Sequence, residues 1–508
     1  MTSNSHPRPT SCPPVSTAAV AERVGATHRG APVDVRGITN RSAEVRAGDL
    51  FVGVPGSSAH GARFAADAVA AGACAVLTDH DGAVLAGELD VPVLIADDVR
   101  AGVGAASALV YGDPSRRLRM LGITGTSGKT TTAYMVRAVL DAAGLTSGLL
   151  GTVETLIGRE RLAHTPGASF TTPEAPDLHA LLAVMAERGV THVVMEVSSH
   201  ALQLGRVDGI EFAIAGFANL SQDHLDFHHT MQEYFEAKAL LFDGRAGAHV
   251  LNIDDEWVAR LRGRPRPTVT ISPTGAAADW HVVGEIVASG AGSRFTLVGP
   301  DRLNLDVRLS LPGAFNVANA LMALAITHQA GIDPALAAAA LAEVRVPGRM
   351  ERIDAGQGFL AVVDYSHKPA AVEAALRSVR QQATGRVLLV LGCGGDRDAA
   401  KRPIMGQVGA RGADLLVITD DNPRSEDPAA IRAAMITGAL AVPENERSEL
   451  LEIGDRAAAI RAAVGRAEDG DVVLVAGKGH ETGQYVGGVV LPFDDRQALW
   501  AALTDPAS

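Results

Sequence analysis

Residues 117–144, RLRMLGITGTSGKTTTAYMVRAVLDAAG, decide the fold of the central part of the chain. The apolar run LRMLGIT predicts a buried strand, and the apolar spacing from Lys129 to Gly144 predicts a helix. Between them lies a glycine-rich loop, GTSGKT, whose backbone can wrap a phosphate at a helix N-terminus. Ile123 stands where the full phosphate-binding motif has its first glycine, so the match is to a shorter form. In this context the loop predicts nucleotide binding, with Lys129 on the β/γ-phosphates and Thr130 on Mg²⁺.

The bulk composition limits the class of protein. A chain of 508 residues is too long for one core and predicts about two to four domains. Its net charge of −13 argues against general nucleic-acid binding, which needs a basic face. The first residues lack the basic and apolar regions of a secretory signal, and no apolar run reaches the roughly 18 residues of a membrane span. Three widely spaced cysteines fit a reducing compartment. We therefore expect a cytoplasmic protein.

Apolar runs alternate with helical stretches on both sides of the loop and predict an α/β protein of three domains. Residues 1–17 are expected to be a disordered tail rich in Pro, Ser and Thr. Residues 18–116 predict a small α/β domain with a helix from Ala62 to Gly72, and residues 117–346 a central parallel-sheet domain of phosphate-loop type. In residues 347–508 four apolar runs each end in a polar or glycine-rich cluster. Because ligands bind at the carboxyl ends of parallel strands, these clusters should line one edge of a doubly wound, Rossmann-like sheet.

Three further features have two interpretations when only the residue types are considered. Glu196 ends the apolar run THVVME, where a carboxylate either caps a helix or binds Mg²⁺, and the nearby phosphate loop favours the metal. The cluster 219–229, NLSQDHLDFHH, is rich in metal-capable groups, yet most of them would be capping or solvated side chains. Mg²⁺ also prefers oxygen ligands to histidine nitrogen. Lys238 lies on an apolar helical stretch, where a lysine ordinarily extends to the surface.

Ten short motifs occur along the chain in this order: GITGTSGKTTT, MEVSSHAL, NLSQDHLDFH, EAK, GAFNVANALMA, GRMER, DYSHKP, GCGGDRD, TDDNPR and AGKGHE. Together they resemble the signature of the Mur ligases, from about residue 35 to residue 490. The resemblance is strongest to the members that add meso-2,6-diaminopimelate to UDP-N-acetylmuramoyl-L-alanyl-D-glutamate during peptidoglycan synthesis. It implies one domain each for the UDP-precursor, ATP and the amino acid. It also implies Mg²⁺, an acyl-phosphate and a tetrahedral intermediate, and leaves contact with other cell-wall precursor enzymes open.

The resemblance implies roles for matching residues in the ATP and metal sites. ATP would contact the phosphate loop and three later residues: Gly125, Thr126, Ser127, Gly128, Lys129, Thr130, Thr131, Asn316, Arg349 and Asp364. Mg²⁺ would be held by Thr130, Glu196, His224 and a modified Lys238. Lys238 matches the family lysine that is carbamylated, and a carbamate is an anionic oxygen donor that suits Mg²⁺. The residues with a catalytic role would be Lys129, Lys238, Glu196 and His224.

The resemblance also implies two substrate sites. The UDP-precursor would contact Ser42, Ser57, Ser58, Ala59, Thr171, Thr172, Ser198 and Arg206. Some relatives have glutamine in place of Leu204, asparagine in place of Phe170 and His-Gln in place of the two serines at 57 and 58. Diaminopimelate would contact Arg397, Asp421, Asn422, Pro423, Arg424, Gly477 and Glu481. Arg424 would bind the carboxylate that distinguishes diaminopimelate from lysine, because a guanidinium donates two parallel hydrogen bonds to a carboxylate. Without the resemblance, DNPR would be only a Pro-containing turn.

Three rival functions can be compared with this one. The same ligase chemistry with L-lysine is disfavoured by the DNPR segment. A folylpolyglutamate-type ligase would match neither the amino-terminal domain nor DNPR. A phosphate-loop motor, transport or switch ATPase would explain GTSGKT but leave DYSHKP, TDDNPR and AGKGHE without a role.

Overall fold

The structure is a computed structural model that describes residues 7–56, 59–162, 171–289 and 292–505. By internal contacts the chain divides into two compact units, residues 1–271 with 322–334 and residues 272–321 with 335–508. The first unit holds both the amino-terminal and the central sheet, so this division does not test the domain boundaries predicted at residues 116 and 346. Across the described ranges, no helix is long and apolar enough to cross a membrane.

The amino-terminal part of the first unit is a small α/β sheet. The strands of this region are β1 (Val15–Ser16), β2 (Thr27–Arg29), β3 (Asp34–Val35), β4 (Gly37–Thr39), β5 (Asp49–Gly53), β6 (Ala75–Thr78) and β7 (Val93–Ile95), of which β1 and β3 form a separate two-stranded sheet. Its helices are α1 (Thr17–Val24), α2 (Ala65–Ala70), α3 (His80–Ala86) and α4 (Val99–Val110). The sheet order is β2-β7-β6-β5-β4, with β4 to β7 parallel and β2 antiparallel. The helix expected from Ala62 to Gly72 is shorter, because a 3₁₀ turn over Gly61–Phe64 precedes α2.

The predicted disordered tail is wrong for residues 8–16. Arg8 Nη1 lies 2.6 Å from the buried Asp49 carboxylate, and the backbone N–H groups of Thr10 and Ser11 donate to Glu187 at 2.9 Å each. Residues 15 and 16 form β1 and pair with β3. The composition suggested disorder because these partners lie far away in sequence. Residues 1–6 lie outside the described residues.

A large, mostly parallel sheet forms the central part of the first unit. Its strands are β8 (Arg119–Thr124), β9 (Ser147–Leu150), β10 (Thr155–Ile157), β11 (Glu160–Leu162), β12 (His192–Glu196), β13 (Phe212–Phe217), β14 (Ala246–Asn252) and β15 (Thr268–Ser272). Its helices are α5 (Lys129–Ala142), α6 (Ala175–Glu187), α7 (Ser199–Gln203), α8 (Leu225–His228), α9 (Met231–Ala239) and α10 (Glu256–Ala259). The order is β11-β10-β9-β12-β8-β13-β14-β15, and only β10 and β11 run antiparallel to their neighbours. Both faces of β8 are buried, as expected for a central parallel strand. Because β12 and β13 pair with β8 in parallel, the carboxyl ends of these three strands are neighbours.

The second unit begins with three antiparallel strands, β16 (Trp280–Ser289), β17 (Gly292–Val298) and β18 (Asn304–Leu309). Two helices follow along the chain, α11 (Ala314–Gln329), whose residues from 322 onward belong to the first unit, and α12 (Pro334–Leu341). The GAFNVANALMA motif lies at the start of α11, where Asn316 is 2% exposed. The motif thus forms a largely buried helix.

The carboxy-terminal part of the second unit is a six-stranded sheet covered by helices. Its strands are β19 (Glu351–Ile353), β20 (Leu360–Asp364), β21 (Val387–Leu391), β22 (Leu415–Ile418), β23 (Glu449–Glu452) and β24 (Val472–Ala476), and a separate hairpin comprises β25 (Gly483–Val486) and β26 (Val489–Pro492). The helices are α13 (Pro369–Arg380), α14 (Lys401–Gly412), α15 (Pro428–Leu440), α16 (Arg456–Val464) and α17 (Asp495–Thr504). The order is β19-β20-β24-β21-β22-β23, with all but β19 parallel. The four predicted apolar runs are β20, β21, β22 and β24, so their polar ends do share one sheet edge.

Candidate active site

The phosphate loop lies between β8 and α5 and is held in shape by one asparagine. Gly125 and Gly128 have φ angles of 155° and 85°, at which a residue with a side chain would be strained. Asn219 accepts a hydrogen bond from Ser127 N (2.9 Å) through its amide oxygen and donates to Ser127 O (3.1 Å). Its backbone oxygen accepts from Thr126 N at 2.9 Å. The sequence placed Asn219 in a metal-capable cluster, but the structure makes it the clamp of the loop.

The first residues of α5 lie where the loop meets the helix. Lys129 Nζ donates to Gly125 O at 2.8 Å and to Thr126 O at 3.2 Å, so the ammonium folds back over the loop. The Thr131 side chain is buried in the first turn. Gly128, the N-cap residue, has no side chain to cap the helix, which leaves its first N–H groups suited to an anion. These features fit a site for a polyphosphate.

Glu196, at the end of β12, faces the first turn of α5. Its Oε2 accepts hydrogen bonds from Thr130 Oγ1 (2.9 Å) and Thr152 Oγ1 (3.0 Å), and its Oε1 accepts from Thr152 N (2.9 Å). A Cβ at Gly151 would approach Oε1 to 2.5 Å, so glycine there makes room for the carboxylate. The N-cap of α7 is Ser198, which excludes the helix-capping interpretation of Glu196. Thr152 gave no signal in the sequence.

Thr130 and Glu196 fit a Mg²⁺ ion by their chemistry. A hydroxyl and a carboxylate within hydrogen-bond distance at the phosphate loop are oxygen donors of the kind that Mg²⁺ prefers. In the described parts of the chain, no group of three or more His, Cys, Asp or Glu side chains could hold a metal.

Lys238 is buried directly beneath the phosphate loop. Its side chain on α9 is 1% exposed, and Nζ donates to Gly125 O at 3.0 Å and approaches Thr124 Oγ1 at 3.5 Å. The same Nζ lies 4.8 Å from the centre of the Tyr234 ring. The interpretation of Lys238 as a lysine that extends to the surface is therefore wrong. The position instead places any anion formed on Nζ beside the loop.

Histidines and aromatic rings pack together next to this lysine. The His200 ring is 4.8 Å from that of His224 and stacks on Phe227 at 4.2 Å, measured between centroids. His224 Nε2 lies 3.1 Å from Asp223 Oδ2, and its side chain is 47% exposed. Burial lowers the pKa of His228 to about 4, and its Nε2 lies 2.9 Å from Ser199 Oγ. His224, the residue that the resemblance assigns to the metal, is thus the accessible member of the group.

Four residues assigned to the UDP-precursor converge around Glu196. Thr172 Oγ1 donates to the Glu196 backbone oxygen (3.1 Å), and Arg206 Nη1 donates to Thr172 O (3.3 Å). Thr171 Oγ1 lies 3.1 Å from Thr152 Oγ1, and Ser198 N donates to Thr172 Oγ1 at 3.4 Å. The precursor residues and the carboxylate thus belong to one polar network.

The other precursor residues lie in the amino-terminal sheet region or outside the described residues. Ser42 begins a 3₁₀ turn, Ser42–Glu44, and Ala59 O accepts from Gly56 N at 3.1 Å. Leu204 is the C-cap residue of α7. Ser57, Ser58 and Phe170 lie outside the described residues.

The nucleotide residues predicted in the second unit have well-defined partners. Asn316 donates from Nδ2 to Pro312 O at 2.7 Å. Asp364, at the end of β20, accepts from Met350 N (2.7 Å) and Ser366 N (2.8 Å). The Arg349 guanidinium lies 4.2 Å from the centre of the Tyr365 ring. Arg349 and Asp364 are thus neighbours through Met350.

Most of the predicted amino-acid site comes together at the carboxyl ends of β22 and β24. Asn422 Nδ2 donates to Glu481 Oε2 at 2.8 Å. Gly477 has a φ of 118°, and a Cβ there would lie 2.9 Å from Asp421 Oδ2. Asp421 and Asn422 are both 6% exposed, and Pro423 is also buried.

Arg424 and Arg397 differ from what the sequence suggested. Arg424 itself has a left-handed φ of 55°, and its N–H donates to Tyr485 O at 2.8 Å, so the hairpin β25–β26 holds it as well as Pro423. Its side chain is half-buried and Nη1 donates to Gly395 O. Arg397 is exposed, two residues beyond that contact. Lys478, which the sequence analysis did not select, lies at the centre of this cluster and is fully buried.

Family comparisons agree with this geometry. Three family models match in order: the catalytic domain of the Mur ligase family over residues 34–108, the Mur ligase middle domain over 123–327, and the Mur ligase glutamate ligase domain over 348–479. The chain belongs to the Mur ligase family. The family and the three-domain α/β class predicted from the sequence are therefore confirmed.

Individual relatives are similar over nearly the whole chain. The chain is 51% identical to the UDP-N-acetylmuramoyl-L-alanyl-D-glutamate–2,6-diaminopimelate ligase of Streptomyces coelicolor over 507 residues, which cover 99% of both chains. It is 54% identical to the protein of the same name from Corynebacterium efficiens over 465 residues, 89% of this chain and 87% of that one. A solved structure with that name has a TM-score of 0.66 and 32% identity, and the match covers 93% of this chain and 95% of the other.

Proposed function

We propose that this chain is an ATP-dependent, ADP-forming ligase that joins meso-2,6-diaminopimelate to UDP-N-acetylmuramoyl-L-alanyl-D-glutamate, in cytoplasmic peptidoglycan precursor synthesis. The names of relatives that are 51% and 54% identical support this reaction. The structural observation that carries it is the polar cluster of Asn422, Glu481 and Arg424 at one sheet edge of the second unit. A phosphate-loop ATPase without an amino-acid substrate has no use for such a cluster.

The chemistry requires activation of a carboxylate, because a carboxylate oxygen is a poor leaving group. Transfer of the γ-phosphoryl group to the D-glutamate γ-carboxylate gives an acyl-phosphate and ADP. The amine of diaminopimelate then attacks the carbonyl carbon, and the tetrahedral intermediate loses phosphate to form the amide. Charge on the phosphoryl group must be stabilised throughout. Lys129 and the N–H groups of the loop at α5 would supply this stabilisation.

Mg²⁺ would be held by Thr130 and Glu196, together with His224 and a carbamate on Lys238. Bound there, it would neutralise charge on the ATP phosphates. The Glu196 carboxylate is held ready by Thr152, which fixes both of its oxygens. The position of Lys238 under the loop supports the carbamate, because a carbamate there would offer oxygen ligands to a Mg²⁺ ion at the phosphates.

The two organic substrates would be bound by side chains with clear chemical preferences. Arg206 and Thr172 would orient the precursor next to Glu196. Arg424 would bind the carboxylate at the far end of diaminopimelate, and Glu481, oriented by Asn422, would bind the ammonium at that end. L-Lysine lacks that carboxylate and would leave the guanidinium without its anion. Discrimination at such a site can reach roughly 10⁴-fold.

The test is an assay of ADP release with each substrate omitted in turn. We expect turnover to require both the UDP-dipeptide and an amino acid, with meso-diaminopimelate preferred over L-lysine in a panel. Equal use of L-lysine would show that the ligase reaction is correct and the amino acid wrong. ATP hydrolysis at full rate without either substrate would favour the motor or switch class instead.

A further inference from the structure

Lys478 lies in the loop after β24 and is completely buried. Its Nζ donates to Gly483 O (2.7 Å), Asn422 Oδ1 (2.9 Å) and Glu481 Oε2 (3.0 Å). The exposed fraction of its side chain is 0%. An ammonium has three N–H donors, and all three are used here. Burial of a charge is costly unless it is paired, so this lysine is fixed in position by its partners.

The contacts of Lys478 set the orientation of the Asn422 amide. Its oxygen, Oδ1, accepts from Lys478 Nζ and also from Tyr485 N at 3.1 Å. The amide nitrogen, Nδ2, must therefore point the other way, and it donates to Glu481 Oε2 at 2.8 Å. An amide rotated by 180° would direct its N–H₂ group at an ammonium. Lys478 thus decides which hydrogen-bonding atoms Asn422 and Glu481 can offer to a ligand.

Lys478 also adjusts the charge of the cluster. Its Nζ lies 3.7 Å from Asp421 Oδ1 and 3.0 Å from Glu481 Oε2, so two carboxylates face one ammonium and the three groups carry a net charge of −1. The neighbouring ion pair of Arg456 and Asp495 is fully buried and neutral as a pair. The remaining single negative charge matches one ligand ammonium, while Arg424 supplies the positive charge for one carboxylate.

The geometry points to Lys478 as the positioning residue that makes this cluster specific for the zwitterionic far end of the amino-acid substrate. Lys478 acts through Asn422 and Glu481 and touches no substrate atom itself. This inference rests on the proposed function, because it assumes that the cluster binds the incoming amino acid. Without the ammonium, the carboxylates of Asp421 and Glu481 would repel each other and the amide of Asn422 would lose its fixed orientation.

Lys478→Met removes the charge and keeps a side chain of similar length. In the ADP-release assay we expect the KM for meso-diaminopimelate to rise about 30-fold, the scale of losing charged hydrogen bonds. The KM values for ATP and the UDP-dipeptide should change less than about twofold, because the contacts of Lys478 lie within the amino-acid cluster. Lys478→Met and Glu481→Gln should also be non-additive in kcat/KM for diaminopimelate, because one residue acts through the other.

Leu389→Ala is the matched control. Leu389 is buried in β21 of the same sheet, so its replacement by alanine should destabilise the domain without changing a residue of the cluster. At a comparable loss in Tm it should leave the KM for diaminopimelate unchanged. Should Lys478→Met not fold, Lys478→Gln, which keeps two N–H donors, takes its place. An unchanged KM in a folded variant overturns the inference, and so does loss of folding in both variants, since Lys478 would then serve the fold. A wild-type enzyme inactive with diaminopimelate would refute the proposed function instead.

Discussion

The phosphate loop and the proposed amino-acid cluster would bind charged ligands in different ways. The loop offers backbone N–H groups from one continuous segment, shaped by Gly125 and Gly128 and clamped by Asn219. The cluster offers side chains from segments far apart in sequence, joined by the buried Lys478. A backbone site suits a phosphate that every nucleotide shares, whereas a side-chain site can distinguish one amino acid from another.

The largest expected effect tests whether the phosphate site relies on the backbone alone. Lys238→Ala should lower kcat by about 10³-fold, the upper range for loss of one preorganised stabilising group, because the carbamate anion would be missing. Acetate or formate in the assay should restore part of the activity, and ethylamine at the same concentration should not. Rescue by the amine would contradict the carbamate, and near-normal turnover without any addition would remove Lys238 from the site.

The second effect concerns the side-chain site. Arg424→Ala should raise the KM for meso-diaminopimelate about 10²-fold, because a charge-assisted contact to the far carboxylate is lost. Its activity with L-lysine should change little, so the preference between the two amino acids should shrink. Arg466→Ala, which removes an exposed arginine paired with Glu449, is the control and should change neither value. Equal losses with both amino acids would show that Arg424 does not read the carboxylate.

A smaller effect should follow when the hydrogen bonds between Asn219 and the phosphate loop are removed. Asn219→Ala removes the two side-chain hydrogen bonds to Ser127, and kcat/KM for ATP should fall about tenfold, the scale of one to two hydrogen bonds. The KM for diaminopimelate should stay constant, since the clamp acts on the phosphate loop. A variant that altered the amino-acid KM and left that for ATP unchanged would reverse the comparison between the two sites.

The last effect lies outside both sites and gives the baseline for stability alone. Burial lowers the pKa of His179 to about 4, and its Nε2 donates to Asp208 O at 2.9 Å. The unfolded chain binds a proton near pH 6.5 and the folded one does not, so stability falls as the pH drops from 6.5 towards 4. In His179→Gln the loss in unfolding free energy between pH 7 and pH 5 should be smaller by about 2 kcal/mol. Urea titrations at both pH values measure this, and an unchanged loss would contradict it.

The same contrast explains what could be predicted from the sequence. The phosphate loop is local, so the strand, loop and helix followed from residues 117–144 alone, and the four strand ends of the last sheet followed from apolar runs. The roles of Asn219, Thr152 and Lys478 could not be predicted, because they arise only when distant segments meet. Lys238 could be assigned from residue type only to the surface, since nothing local shows that its helix lies beneath the loop. The motif resemblance predicted instead that Lys238 belongs to the metal site, and the structure shows that its helix packs beneath the loop.

The contact of Arg8 with Asp49 has a practical consequence for truncation. Asp49 is 2% exposed, and its carboxylate accepts from Arg8 Nη1 as well as from Arg46 N. A shortened protein that starts at residue 18 would keep this buried carboxylate and lose its cation. Removing one partner of a buried ion pair costs about 3–5 kcal/mol. Shortened versions made for crystallisation should therefore retain residues 8–17, although their composition resembles a segment that is usually removed.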